Sequence, residues 1–364
     1  MKPLFCLFLL LYTLSLKAQD CNCLENFEAV VTHIEANYAG IADKITSANQ
    51  QEYQTFLATS RQKAKQTRQE AICLEILMEY IAFFQDGHIQ LTGRQGLVTN
   101  RFLYPNYAET TSDITGPAVA FEQRSAQTAY LKIRTFYEGF YTQIDSTIRV
   151  QDAALRKSKN LIIDLRGNDG GAVFTYQRLL PYLGLDTIQF IGFDVYATPA
   201  NIAAYERQLE SPYIPENQKF YIRQNIERMR AGQGKLVSLS GDYFQVIEQV
   251  EGPQRIAVLI DNNCGSTAEH FLLVAQQSDR VVLMGEPTIG MYDYGDMRPI
   301  NLPSIPYRLW CATTRSRRLD RNLTIDNIGI QPTIPLNRNK DWIREAQDFL
   351  EDDQHHYRSW LDRR

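Results

Sequence analysis

The apolar positions along the chain change period several times, and those changes divide it. Residues 24–84 carry helical stripes. Leu24, Phe27, Val30, Val31 and Ile34 share one face, and Ile72, Ile76, Leu77, Tyr80, Ile81 and Phe84 share another. The segment between them is polar, with Tyr53, Phe56 and Leu57 as its apolar cluster. This pattern predicts a small helical region whose last helix stops at Asp86-Gly87. His88 follows, then the short alternation Ile89-Gln90-Leu91. Residues 93–128 are irregular and polar.

Beyond them, strand-length apolar runs alternate with helical stripes. A strand is predicted at 130–133 and a helix at 141–156, carried by Ile144, Ile148 and Leu155. A strongly apolar strand at 160–165 ends in Arg166-Gly-Asn-Asp-Gly-Gly171, and a helix follows through Leu179, Leu180 and Leu183. That alternation predicts an α/β core, in which sites gather at the carboxyl ends of strands. Residues 191–245 read as an insertion with two polar amphipathic helices, 201–209 and 218–230, either a lid over the cleft or a surface excursion. A buried strand at 256–260 leads through a polar turn to Ser266 and to the helical stripe Ala268, Phe271, Leu272 and Ala275. Further strands are predicted at 280–284 and 307–313. A turn at 326–332 enters a last short strand, and an amphipathic helix covers 342–360.

Composition narrows the class. The 364 residues are 44% hydrophobic and 22% charged, as in a folded protein, and the net charge of -4 leaves no electrostatic footprint for nucleic acid. Residues 1–18 have the form of a secretory signal: Lys2, an apolar run too short to span a bilayer, and Ala18 before the cut. An exported protein with no membrane span is expected. Besides Cys6 in that run, the chain keeps Cys21, Cys23, Cys73, Cys264 and Cys311, an odd number that leaves at least one unpaired. Cys21-x-Cys23 lacks partners at zinc spacing, and neither a metal nor another cofactor is expected. A disulfide from Cys21 or Cys23 to Cys73 would suit export. The expected organisation is a signal at 1–18, a helical domain at 19–92, an α/β core at 93–340 and a C-terminal helix at 341–364.

Strand, sharp turn, serine, helix is how a nucleophilic serine is presented, because the helix N-terminus offers free N–H groups to an oxyanion. The same pattern suits a serine that only caps the helix. His88, just past a glycine turn, is placed to project into a cleft, and histidine is the commonest acid–base residue. The Gly-rich loop at 166–171 lacks both phosphate signatures, but its glycines can form an anion-binding nest or a simple tight turn. Arg315, Arg317, Arg318 and Arg321 form a basic run, read as a solvated strand edge or a carboxylate-binding patch.

Four of these stretches, in order, resemble motifs of the C-terminal-processing and tricorn-core serine peptidases. They are Asp86-Gly-His88, Asp164-Leu-Arg-Gly-Asn-Asp-Gly-Gly171, Gly265-Ser-Thr-Ala-Glu269 and Gly285-Glu-Pro-Thr-Ile-Gly290. The resemblance implies a crotonase/ClpP-like spiral core behind the small helical domain, and Ser266 as nucleophile. In the processing branch a lysine after the last loop is the base. Here that position is Met291, whose thioether cannot accept a proton. The tricorn-like branch uses a histidine and an acid, which implies His88 as general base and Asp326 as orienting acid, with Asp where that branch has Glu. The Thr267 N–H and a glycine N–H from Gly170 or Gly171 would hold the oxyanion. Asp169 replaces a small glycine of the family, and His270, one turn past Ser266, is the competing base. The interval from His88 to Tyr130 is too short for the PDZ domain of the processing branch. The expectation is an exported serine peptidase acting on peptides or proteins. The alternatives are an inactive peptide-binding protein of the same fold and a hydrolase of other esters or amides.

Overall fold

The computed structural model describes residues 21–94, 96–98 and 117–352, and the strand Arg255–Ile260 lies at its centre. Parallel neighbours flank it, Asn160–Asp164 on one side and Val281–Gly285 on the other. Ile334–Pro335 extends the sheet beyond Val281–Gly285, and Thr128–Ile133 extends it beyond Asn160–Asp164, both in parallel. Antiparallel Val119–Gln123 closes that edge. The three central strands are apolar at nearly every position because both sheet faces are covered. Ile256, Val258 and Ile260 face the helices Tyr141–Val150, Asp152–Lys157 and Thr267–Ala275 and the turn-rich stretch Val173–Leu183. Ala257 and Leu259 face the other way, with Ile162, Val282 and Met284, under Trp342, Ala346 and Leu350 of the helix Trp342–Glu351. This is an α/β core of the spiral type, preceded by an N-terminal helical region.

That helical region covers a second, antiparallel sheet. Its order is Gly96–Val98, Gln90–Gly93, Arg308–Ser316, Phe193–Tyr196 and Leu236–Ser238, with Tyr294–Asn301 also paired to Arg308–Ser316. Phe27 and Ile34 of the helix Cys23–Asn37 and Tyr80 of the helix Glu70–Ala82 pack with Phe84, Leu91, Leu309 and Cys311. The Cys23–Cys73 disulfide ties these two helices together, whereas Cys21, Cys264 and Cys311 are free and buried. Residues 191–245 are partly built into the antiparallel sheet through Phe193–Tyr196 and Leu236–Ser238, and hold the helices Pro199–Gln208 and Glu216–Ala231.

Several elements differ from the periodicity. Val173–Leu183 is a 3-10 stretch, because Pro181 has no N–H and clashes with an α-helical ladder. Val119–Gln123 is a strand in the stretch whose pattern is irregular and polar, because an edge strand keeps polar residues on its open face. Three of the four arginines in the run are paired with carboxylates, whereas Arg318 donates to the Leu323 carbonyl and its buried Nε has no partner among the described residues. Arg315 pairs with Asp43 at 2.6 Å and Asp320 at 2.9 Å, Arg317 with Asp194 at 2.8 Å, and Arg321 with Asp242. The expected signal at 1–18 and the far end of the helix expected to reach residue 360 lie outside the described residues. Among the described residues no helix is long and apolar enough to cross a membrane.

Candidate active site

Ser266 stands between the central strand and the helix Thr267–Ala275, with φ 53° and ψ -118°. A non-glycine residue there costs roughly 1–3 kcal/mol of strain and persists only because its surroundings hold it. The Ser266 N–H donates to the Met291 carbonyl at 2.9 Å and to Glu269 Oε2 at 3.1 Å. Glu269 Oε2 also accepts from the Met291 N–H at 2.8 Å. Oε1 accepts from the Gly290 N–H at 2.9 Å and the Thr288 hydroxyl at 2.5 Å. One buried carboxylate thus binds the loop at 285–291 to the Ser266 turn. Burial pushes its pKa up to about 7 against the pull of those four donors. Ser266-x-x-Glu269 has capping-box spacing, the sequence signal by which Glu269 can be found.

His88 lies across from this turn. Its Nε2 is 3.0 Å from Ser266 Oγ, and the side chain is almost wholly buried. Burial lowers its pKa and the charge of Asp86 opposes that shift, so at neutral pH the ring is neutral and can take a proton. Asp86 Oδ1 accepts from the His88 backbone N–H at 2.8 Å and lies 3.9 Å from Nδ1. Oδ2 accepts from the Tyr38 hydroxyl at 2.7 Å.

Asp326 is buried nearby, its Oδ1 accepting from the Tyr292 and Asp293 N–H groups at 2.6 and 2.7 Å. Its Oδ2 and His88 Nδ1 have no hydrogen-bond partner among the described residues, and Asp326 makes no ion pair with His88. Burial first, then the charges of Asp86 and Asp293, push the Asp326 carboxyl well above the usual carboxylate range. The fold therefore brings Ser266 and His88 into contact and leaves Asp326 short of it, its side chain tethered by two backbone amides. His270 does not compete as base. Tyr176 OH lies 2.6 Å from its Nδ1, its ring stacks on Tyr292, and burial pushes its pKa down to about 4. Met291 takes part through its backbone, as the acceptor for Ser266.

The Gly-rich loop closes the remaining side. Asp164 anchors it. Burial would raise this carboxyl, but Arg166 at 2.7 and 2.9 Å, with Lys132 and Tyr130, holds it below the usual range. Asn168, unremarked in the sequence, is the staple. Its amide donates to the Ile133 carbonyl, its Oδ1 accepts from the Gly170 N–H at 3.0 Å, and its carbonyl accepts from the Gly265 N–H. The Gly170 N–H is therefore occupied, and the glycine donor still open to a ligand is Gly171, whose N–H has no partner among the described residues. A Cβ on Gly170 would lie 2.7 Å from Ser266 Cβ and 2.8 Å from the Thr267 nitrogen, so only glycine lets this backbone approach Ser266. Thr267 is the first helical residue, where the N–H has no place in the helix's own ladder, and its hydroxyl donates to the Gly171 carbonyl at 2.6 Å. Asp169 accepts from the Tyr137 hydroxyl at 3.0 Å, and burial pushes its carboxyl up. Among the described residues no group of His, Cys, Asp or Glu side chains could hold a metal ion.

A strained serine at a strand-to-helix turn, with a histidine Nε2 on its hydroxyl, is the arrangement of a serine-type hydrolase. The sequence pattern of peptidase family S41 matches residues 127–336, and the chain belongs to that family of serine-type peptidases. No curated protein gives a significant sequence match. Among solved structures, the chain is similar to mature CPAF complexed with lactacystin (14% identity, 94% of this chain and 97% of that one, TM-score 0.59). It is also similar to a candidate peptidase from Parabacteroides merdae (16%, 90% and 93%, 0.57). The tricorn protease matches at 12% identity over 91% of this chain and 36% of its own, with a TM-score of 0.51. At these identities the likeness is one of fold.

Proposed function

We propose that the chain is an exported endopeptidase in which Ser266 is the nucleophile, His88 the general base and Asp326 the acid that steadies the imidazolium. The observation that carries this reading is the 3.0 Å contact between His88 Nε2 and Ser266 Oγ. Oγ attacks the scissile carbonyl carbon as its proton passes to Nε2. The oxyanion is taken by the N–H groups of Thr267 and Gly171, each such donor being worth roughly 3 kcal/mol. Collapse of the tetrahedral intermediate breaks the C–N bond, and the amine leaves with the proton from His88. Water, activated by the same imidazole, then releases the acyl group from Ser266. The Cys23–Cys73 disulfide supports an oxidising compartment, in keeping with the apolar N-terminal run.

A peptide-library digest tests the reading. The wild type should cleave peptides in preference to small esters, and Ser266→Ala should lose at least ~10⁴-fold in rate, as removal of a nucleophilic serine does elsewhere. Equal turnover by both proteins would refute it. Cleavage of esters alone would favour a non-peptide hydrolase.

A further inference from the structure

We propose that Asp86 is a positioning residue of this site, orienting His88 and stabilising its imidazolium as the proton arrives from Ser266. The inference rests on the Ser266–His88 reading above and adds a second carboxylate to it. Asp86 is the one carboxylate that touches His88 among the described residues. Oδ1 receives the His88 N–H at 2.8 Å and is 3.9 Å from Nδ1. Its other oxygen is fixed by Tyr38, a fully buried ring packed against Phe84 and Tyr294. The turn is held from outside as well, because the Gln85 carbonyl accepts from Lys44 Nζ at 3.2 Å and from the Asn327 side chain at 2.9 Å.

The surrounding charges explain why Asp86 is needed. Asp326, just beyond the strand Arg308–Ser316, feels the charges of Asp86 and of Asp293, which precedes the strand Tyr294–Asn301. Glu269 lies behind the nucleophile turn, and Tyr38, Tyr294 and Cys311 flank Asp86. Lys44, the nearby cation, is on the Gln85 carbonyl and 5.0 Å from the Tyr294 ring centroid. Burial and two neighbouring carboxylates push the Asp326 carboxyl up, and its Oδ2 makes no hydrogen bond among the described residues, so the ring needs a second carboxylate closer at hand. Asp86 supplies the negative charge at short range. The 3.9 Å gap is longer than a hydrogen bond, so in the resting site Asp86 acts on a neutral ring only as a charge on a dipole, and the contact tightens when Nδ1–H becomes part of a cation.

The test is the pH dependence of fluorophosphonate labelling of Ser266 in the full chain. Asp86→Asn removes the charge and keeps the shape, since the amide oxygen can still accept the His88 N–H. The acid limb of the labelling rate should move down by about one pH unit, and the plateau rate should fall about tenfold, with Asp326→Asn moving the limb less. Tyr38→Phe withdraws the donor that dampens Asp86's charge and should move the limb slightly upward. A wild-type limb and plateau in Asp86→Asn, with labelling intact, would overturn the inference while leaving the Ser266–His88 reading standing. If Asp86→Asn does not fold by circular dichroism, an unmoved limb in Tyr38→Phe overturns it. Wild-type protein that is folded but unlabelled would take down both.

Discussion

At the scale of single residues, the site depends on how closely backbone and side chain approach. Gly170 has φ 105° and its Cα faces Ser266 and Thr267 with no room for a methyl group. Gly170→Ala should lower kcat by about 10²-fold or more by displacing the Thr267 N–H from the oxyanion. Hydrolysis rates beside a thermal melt would show it, and wild-type kcat would remove Gly170 from the site. The contact of Ser266 with His88 was legible from short motifs, because the proposed nucleophile and base demand particular residue types at a turn. The shorter reach of Asp326 was legible as Asp where the resembling family has Glu, whereas its tethering by the Tyr292 and Asp293 amides was not. The part of Asp86 was hidden too, because its sequence position two residues before His88 reads equally as a helix stop.

At the scale of elements, the helix Thr267–Ala275 and the loop at 285–291 act as one piece through Glu269. Four donors converge on its carboxylate, and a glutamine there must point an NH₂ at some of them. Glu269→Gln should therefore lower the unfolding free energy by about 1–3 kcal/mol and slow labelling of Ser266, whose backbone would relax. Denaturant titration measures the first, and an unchanged midpoint with unchanged labelling would contradict it. The central strands were readable because parallel strands covered on both faces are apolar throughout. The 3-10 stretch Val173–Leu183 has a helix-like stripe, and periodicity alone does not separate it from an α-helix. The edge strand Val119–Gln123 offered too little alternation to be seen.

At the scale of the whole molecule, the histidine and the serine come from different layers. His88 leaves the helical region, whose helices pack on the antiparallel sheet, while Ser266 leaves the central parallel sheet. Their contact depends on the two packing correctly. The disulfide steadies the first of these. It closes a loop of 50 residues, for which the chain-entropy relation gives about 4 kcal/mol of stabilisation. Urea unfolding with and without reductant should differ by an amount of that order, and His88-dependent activity should be lost before the central sheet unfolds. Identical curves would mean that the helical region needs no such tie. The arginines 315, 317 and 321 bind this assembly from outside, through aspartates distant in the chain, and so read as an unpaired basic run until folded.

The most direct measurement is fluorophosphonate labelling of the folded protein at neutral pH, read by intact mass and by mapping the modified peptide. One adduct on Ser266 is expected in the wild type, none in Ser266→Ala, and a rate at least ~10²-fold lower in His88→Ala, the scale on which general bases contribute. A folded wild type that takes no label, or a His88→Ala protein that labels at the wild-type rate, would contradict the assignment of Ser266 and His88 as a working pair.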